Sequence, residues 1–179
     1  MLKKLAVVVA VSGLVAVPGL AQAQSSTITF NGEVVATTCD PAVTGGNYTV
    51  TLDQVAQSKL SAAAGQYGAL SVPFSIQVLN CPVGVTKVGA VLNSSTYDAT
   101  TGNLIDPTTY GTDAVQIQVM DGASSGKQVV VGAATPVSYA TVSSGAATIP
   151  MAAYYYVKNT AGVKVGPIKT TAVYALRTQ

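Results

Sequence analysis

Cys39 and Cys81 are the residues of this 179-residue chain with the most distinctive chemistry, and three uses compete for them: a disulfide, a metal site or a redox couple. A metal site would draw on imidazoles or further thiolates, and the chain has no histidine and no third cysteine. A redox couple favours Cys-x-x-Cys spacing, which these two residues lack. In an exported chain an even pair is most simply one disulfide. Closing a loop of this length stabilises a fold by about 4 kcal/mol on the chain-entropy estimate.

The acids and bases are too few for ordinary catalysis. Beyond the first 23 residues there are one Glu, six Asp and no His, whereas general acid–base work needs positioned groups of tunable pKa. A serine nucleophile would lack an imidazole base, and no G-x-S-x-G turn is present. Asp98 and Asp106 are the nearest paired acids, a spacing that leaves a glycosidase-like pair formally open. The Thr, Gly and Pro around them favour turn capping instead. Without histidine a copper-binding sandwich is closed as well, and no glycine-rich phosphate cradle occurs. Asn47-Tyr48-Thr49 and Asn93-Ser94-Ser95 match the glycan-acceptor pattern, which speaks only to exposure.

The segment that sends the chain to its compartment is MLKKLAVVVAVSGLVAVPGLAQA, residues 1–23. Lys3 and Lys4 precede an apolar run from Leu5 to about Val17, followed by Pro18-Gly19 and the small-residue pattern Ala21-Gln22-Ala23. This reads as a secretory signal peptide cleaved after Ala23. An uncleaved anchor is the alternative, and Pro18 and Gly19 break the run that it would need. About 156 residues then remain, enough for one domain with a core. They carry seven basic and seven acidic residues, so nucleic-acid binding has no electrostatic basis. So few charges suit a protein packed into an assembly.

The elements that must position any site are strands. Alternating or β-branched runs occur at 48–52, 70–79, 85–92, 114–120, 127–131, 136–142, 147–157 and 170–177. Turn residues at 45–46, 101–103, 121–122, 144–145 and 160–162 separate them. Many short strands at this spacing predict an all-β sandwich. A helical turn or two is expected within 55–65, and the polar stretch 93–112 is expected to be a surface loop.

Residues 27–39, TITFNGEVVATTC, alternate Ile28, Phe30, Gly32 and Val34 with small or polar neighbours, the period of a half-buried strand. Such a strand either pairs within its own domain or projects and adds to the open sheet of a neighbour. Periodicity does not choose between the two.

Three stretches carry a family resemblance. These are TITFNGEVVATTC (27–39), FSIQVLNCP (74–82) and IPMAAYYYVKNTAGVKVGPIKTTAVYALRTQ (149–179), with an aromatic-rich strand leading into a short turn in AAYYYVKNTAGVKVG. In order, spacing and end positions the mature chain resembles the type 1 pilin family, the major subunits of chaperone-usher fimbriae of Gram-negative bacteria.

The resemblance implies an immunoglobulin-like sandwich lacking its final strand, with residues 24–36 as an N-terminal donor-strand extension and 37–179 as the pilin domain. It implies partners in turn: a periplasmic chaperone that lends a strand, an outer-membrane usher, and identical subunits in a helical fibre, with tip or minor pilins. Ile28, Phe30 and Val34 would fill a neighbour's groove, Gly32 would sit where it is shallow, and Cys39 and Cys81 would form the intradomain disulfide. Tyr174 and Leu176 would lie on the last strand, near the chaperone. The expected location is the fimbrium at the cell surface, the expected role structural, supporting adhesion and biofilm formation, with no cofactor and no enzymatic activity. One departure stands out: the family commonly has a penultimate tyrosine, where this chain has Thr178. The competing reading is a secreted sandwich binding carbohydrate or another surface ligand, with Tyr67, Tyr97 and Tyr110 as its aromatic face.

Overall fold

The longest ladder in the protein joins residues 65–79 to residues 147–157, and the rest of the sandwich is built outward from it. A computed structural model describes residues 39–42, 48–108, 114–122 and 126–179. Its elements in chain order are β1 (Asp40–Pro41), α1 (Gln57–Leu60), β2 (Gly65–Leu79), β3 (Lys87–Asn93), β4 (Tyr97–Asp98), β5 (Asn103–Leu104), β6 (Val115–Asp121), β7 (Ala140–Thr141), β8 (Ala147–Val157) and β9 (Val173–Thr178), with a short 3-10 turn at Thr160–Gly162 before β9.

Among the described residues the strands form two sheets. One has the order β1-β2-β8-β6-β5-β4 and the other β7-β3-β9, with every pairing antiparallel. The period-two alternation of each strand sends one row of side chains between the sheets. Ile76 and Val78 of β2, Ile149, Met151 and Ala153 of β8, and Ile117 and Val119 of β6 meet Val88, Ala90 and Leu92 of β3 in one core. An immunoglobulin-type sandwich places strands A, B, E and D in one sheet and C, F and G in the other. Here β1-β2-β8-β6 occupy the A-B-E-D places and β3-β9 the C-F places. No described strand stands in the place of G, so the fold is an incomplete immunoglobulin-like sandwich.

The disulfide fastens the entrance to this core. Cys39 and Cys81 are bonded, with their Cα atoms 4.1 Å apart across a sequence separation of 42. Next to them Asp40 and Pro41 pair with Leu79 and Val78, and the Cys81 N–H donates to the Gly145 carbonyl. Cys39 is itself part of the core cluster, so the bond packs as well as cross-links.

The strand expectations divide in an informative way. The segment 147–157 is a strand to the residue, and β2, β3, β6 and β9 cover the runs at 70–79, 85–92, 114–120 and 170–177 with shifted ends. The run 127–131 forms only an isolated bridge, Met120 to Gln128, yet Val129 and Val131 are buried in the core. Its alternation thus reported burial and not a ladder. Only Ala140 and Thr141 of 136–142 are in a strand. Residues 136–138 instead lie close against β3, where a Cβ at Gly89 would come within 2.6 Å of the Ser138 carbonyl oxygen and 2.7 Å of Pro136 Cβ. The helix shrinks to the single turn α1, which has no side-chain cap and buries Leu60.

Reducing the Cys39–Cys81 bond, or replacing both residues by Ser, should lower the unfolding free energy by about 4 kcal/mol. Denaturant titration of oxidised and reduced protein measures it.

Candidate functional site

Strand edges are where a sandwich can add a partner, and here the edges are not alike. An exposed edge is normally blunted by brevity, charge or proline. β4 and β7 are two residues long. β2 has β1 beside it only at Val78 and Leu79, and the uncovered stretch includes Pro73, which has no N–H to offer. β9 differs in length: it is six residues, VYALRT, without proline or glycine and with one exposed charge, Arg177, and β3 is its only described neighbour.

The register shows what is missing beside β9. Leu176 lies opposite Ala90 and Tyr174 opposite Leu92. Ala90 and Leu92 are buried, at 3% and 6% exposure, whereas Leu176 and Tyr174 face the same core and remain only half-buried. A strand on the other side of β9 would cover them. Across this flank runs the segment 48–55, in which half-buried Val50, Leu52 and Val55 interrupt exposed Thr49, Thr51, Asp53 and Gln54. It is anchored on the core by Val50 and Leu52 and by the Tyr155 hydroxyl, which donates to the Asp53 carbonyl at 3.0 Å. Among the described residues no backbone ladder includes it. Tyr48, at its start, touches Tyr174. Among the described residues, neither segment 48–55 nor the side of β9 away from β3 has a strand paired to it, and the Tyr48–Tyr174 contact links the two.

Tyr174 and Leu176 lie on β9, the last strand, and the run 48–52, expected to be a strand, belongs to a segment without a ladder among the described residues. Ile28, Phe30, Gly32 and Val34, expected to form the donor strand, lie outside the described residues. Thr178 stands in the β9 ladder opposite Val88, and Gln179 continues it, donating to the Lys87 carbonyl and accepting from the Thr86 and Lys87 N–H groups. Burial, with Tyr48 alongside, pushes the Tyr174 phenol above its ordinary pKa.

The paired acids have a different use. Asp98 Oδ1 accepts from the Thr100 N–H and Asp106 Oδ1 from the Thr108 N–H, both two residues ahead, the capping geometry of Asx turns. The described part of that stretch, 93–108, is not the simple surface loop expected, because β4 and β5 pair with each other and β5 joins the sheet beside β6. Asp98, Asn103, Leu104 and Asp106 are buried as a result. Under this hairpin Gln116 is fully satisfied: its amide donates to Asp98 Oδ2, and its Oε1 accepts from Thr101 and Asn103. Gln128 donates to Asn103 Oδ1 and to the Thr101 carbonyl. Lys158 closes the group with an ion pair to Asp98. Gly102, at φ +71°, makes the turn of this hairpin and lets Val130 pack within 2.8 Å of where a Cβ would stand. Polar residues at alternate positions of β6 read as a solvated face, so nothing in the sequence marked Gln116 as buried.

The aromatic residues of the carbohydrate-binding alternative are dispersed in their roles. Tyr67 packs half-buried against the cluster of Leu60, Val115, Val157 and Val163. Tyr97 lies against Gly132 on β4, and Tyr110 is outside the described residues.

An all-β sandwich in which no described strand fills the terminal place beside the six-residue edge of β9 has the form of a subunit completed by another strand. The chain belongs to the fimbrial protein family, whose family model matches residues 28–179. It is 31% identical over 158 residues to the F17 fimbrial protein of Escherichia coli, covering 85% of this chain and 86% of that one. It is 30% identical over 172 residues to the major fimbrial subunit SMF-1 of Stenotrophomonas maltophilia strain K279a, covering 91% and 98%. In fold it is similar to the P pilus rod subunit PapA, with a TM-score of 0.63 at 19% identity over 80% of this chain and all of that one. A chain from a chaperone-usher pilus structure concerned with rod uncoiling gives 0.61 at 21% identity, covering 91% and 100%. The protein is a structural, surface-located fimbrial subunit and not an enzyme.

The Lys158 ammonium, helped by hydrogen bonds from Gln116 and Thr100 and opposed by burial, holds the Asp98 carboxyl well below its ordinary 3.8. A depressed carboxylate pKa stabilises the fold above the unfolded value, and that contribution is lost as the pH falls below about 4. Asp98→Asn should therefore cost about 1.5–3 kcal/mol at neutral pH and flatten the loss of stability between pH 4 and pH 2. Melting curves of both proteins across that range measure it.

Proposed function

We propose that the subunit polymerises by donor-strand exchange, in which residues 24–36 of one copy lie between segment 48–55 and β9 of the next. The observation that carries this is the six-residue edge of β9, free of proline and glycine, with Tyr174 and Leu176 half-buried where every facing core residue of β3 is buried. The alternating row Ile28, Phe30, Gly32, Val34 supplies a strand of suitable period.

Burying Ile28, Phe30 and Val34 contributes about 5–9 kcal/mol before ordering costs, at about 1.5–3 kcal/mol for each large side chain. Backbone pairing with β9 adds to this and satisfies the edge amides and carbonyls that would otherwise invite aggregation. Gly32 falls at the row position where the receiving groove leaves no depth for a side chain. Donor and acceptor surfaces differ, so the contact is heterologous and propagates as a filament.

Before assembly the same flank requires temporary cover. A periplasmic chaperone that lends a strand along β9, next to Tyr174 and Leu176, meets that requirement, and an outer-membrane usher is the place of exchange. The relatives support this order: one solved structure similar in fold comes from a chaperone-usher pilus. Residues 1–23 direct export, and Cys39 marks where the chain beyond the donor segment is fastened into its own domain. Tip or minor pilins would offer the same kind of groove or donor strand.

Removal of residues 24–36 should leave a folded subunit that accepts a strand and donates none, so that it caps fibres; electron microscopy and sedimentation of mixed assemblies detect this. Gly32→Leu should slow exchange about five- to a hundredfold, the kinetic equivalent of an overpacking cost of about 1–3 kcal/mol, with the acceptor side unaffected. Normal polymerisation of the deletion, or unchanged exchange in the Gly32 variant, would contradict these assignments.

A further inference from the structure

The connection from β8 to β9, residues 158–172, carries the chain from one sheet to the other, and from 164 onward it has no backbone ladder among the described residues. Side chains from distant parts of the chain hold it. The Gln57 amide donates to the Val163 carbonyl at 2.7 Å, the Ser94 hydroxyl donates to the Thr171 carbonyl at 2.7 Å, and Asp106 Oδ2 accepts from the Lys169 N–H at 2.6 Å, across sequence separations of 106, 77 and 63. Val163 and Ile168 root the same segment in the core, and residues 164–167 arch between them, exposed.

Asp106 is the strongest of these pins. Its side chain belongs to a residue only 2% exposed, where an ionised carboxylate needs donors to replace the water it has lost. Oδ2 takes the Lys169 N–H, while Oδ1 takes the Thr108 N–H at 2.7 Å and the Thr108 hydroxyl at 2.8 Å. Hydrogen bonds to an ionised acceptor are about twice as strong as neutral ones. Ser94 adds a second point of attachment, one residue beyond the last ladder pair, Asn93 with Val173.

We infer that Asp106 is the positioning residue of the last strand: its carboxylate pins the β8–β9 connection, so that the chain enters β9 at a fixed place and the strand is laid along β3 as a steady edge. Among the described residues β9 has a single ladder, with β3, so the point at which the chain arrives is the other determinant of where it lies. An isosteric amide cannot do the same work. Lys169 and Thr108 both offer donors, so an Asn at 106 turns its own NH₂ toward one of them and loses that bond whichever way it is oriented. For assembly, and resting on the strand-exchange reading above, the consequence is preorganisation: an edge already held in place has less to order when another strand pairs with it.

The test uses the full mature chain and two readouts. Hydrogen–deuterium exchange is measured at a concentration that keeps the chain unassembled, and polymerisation is followed by light scattering. Asp106→Asn should speed exchange of amides 169–176 about ten- to a hundredfold, the equivalent of one hydrogen bond to a charged group, with smaller changes in β2 and β8. Ser94→Ala should speed the same amides about two- to tenfold, as loss of a neutral bond does. Asp98→Asn, which alters an acid in the same 93–108 connection that faces Gln116 and Lys158 instead, should leave 169–176 at the wild-type rate. Asp106→Asn should also polymerise about two- to tenfold more slowly, the cost of ordering a loosened edge. Unchanged exchange at 169–176, an equal rise throughout β2, β8 and β9, or the same local rise in Asp98→Asn overturns the pin. Local loosening with wild-type polymerisation upholds the pin and contradicts the use of β9 in strand exchange.

Discussion

The constraint on which this structure depends is the outer edge of β9. A strand inside a sheet satisfies hydrogen-bonding groups on both sides, and among the described residues β9 has β3 on one side only. A buried or half-buried N–H or C=O without a partner costs free energy comparable to a lost hydrogen bond. The half-buried Tyr174 and Leu176 add an apolar cost to the same edge. Every other edge in the described sandwich is short, covered or marked by proline. The fold concentrates its incompleteness in one place, and that place decides what the subunit does.

The remaining features keep this open flank from spreading into general instability. The Cys39–Cys81 bond cross-links the chain just before β1 to the chain just after β2, which holds the β1–β2 pairing together at that end of the sandwich. The Asp98, Gln116, Asn103 and Lys158 network fixes the hairpin of β4 and β5 over β6, on the sheet that does not contain β9. Its value lies in being fully satisfied, since a buried polar group with a missing partner would be a liability. Rigid sheets on one side and a vacant strand place on the other make exchange a local event.

Much of the sandwich was legible in the sequence, because period-two alternation is a direct record of which side chains enter the core. It served best for 147–157, where strands lie on both sides and the run is long. It misled at 127–131, whose valines are buried by packing without a ladder, and at 48–52, which alternates as a strand does but has no partner within the described chain. Alternation reports burial, and pairing depends on what lies alongside. The polar network was illegible for a related reason: Gln116 alternates with the core residues of β6, and only the side chains of Asp98, Thr101 and Asn103 gathered on it make that position interior. The family resemblance supplied the idea of a missing strand, which residue pattern alone left undecided between self-pairing and projection.

Hydrogen–deuterium exchange, compared residue by residue between the unassembled full chain and the assembled fibre, addresses the open edge most directly. If β9 is held for a partner strand, amides of 48–55 and of the β9 edge facing away from β3 exchange freely in the unassembled chain. They become strongly protected in the fibre, while β2 and β8 change little. Equal protection of these amides in both states would mean that the edge is already satisfied within one subunit, and would contradict assembly by strand addition.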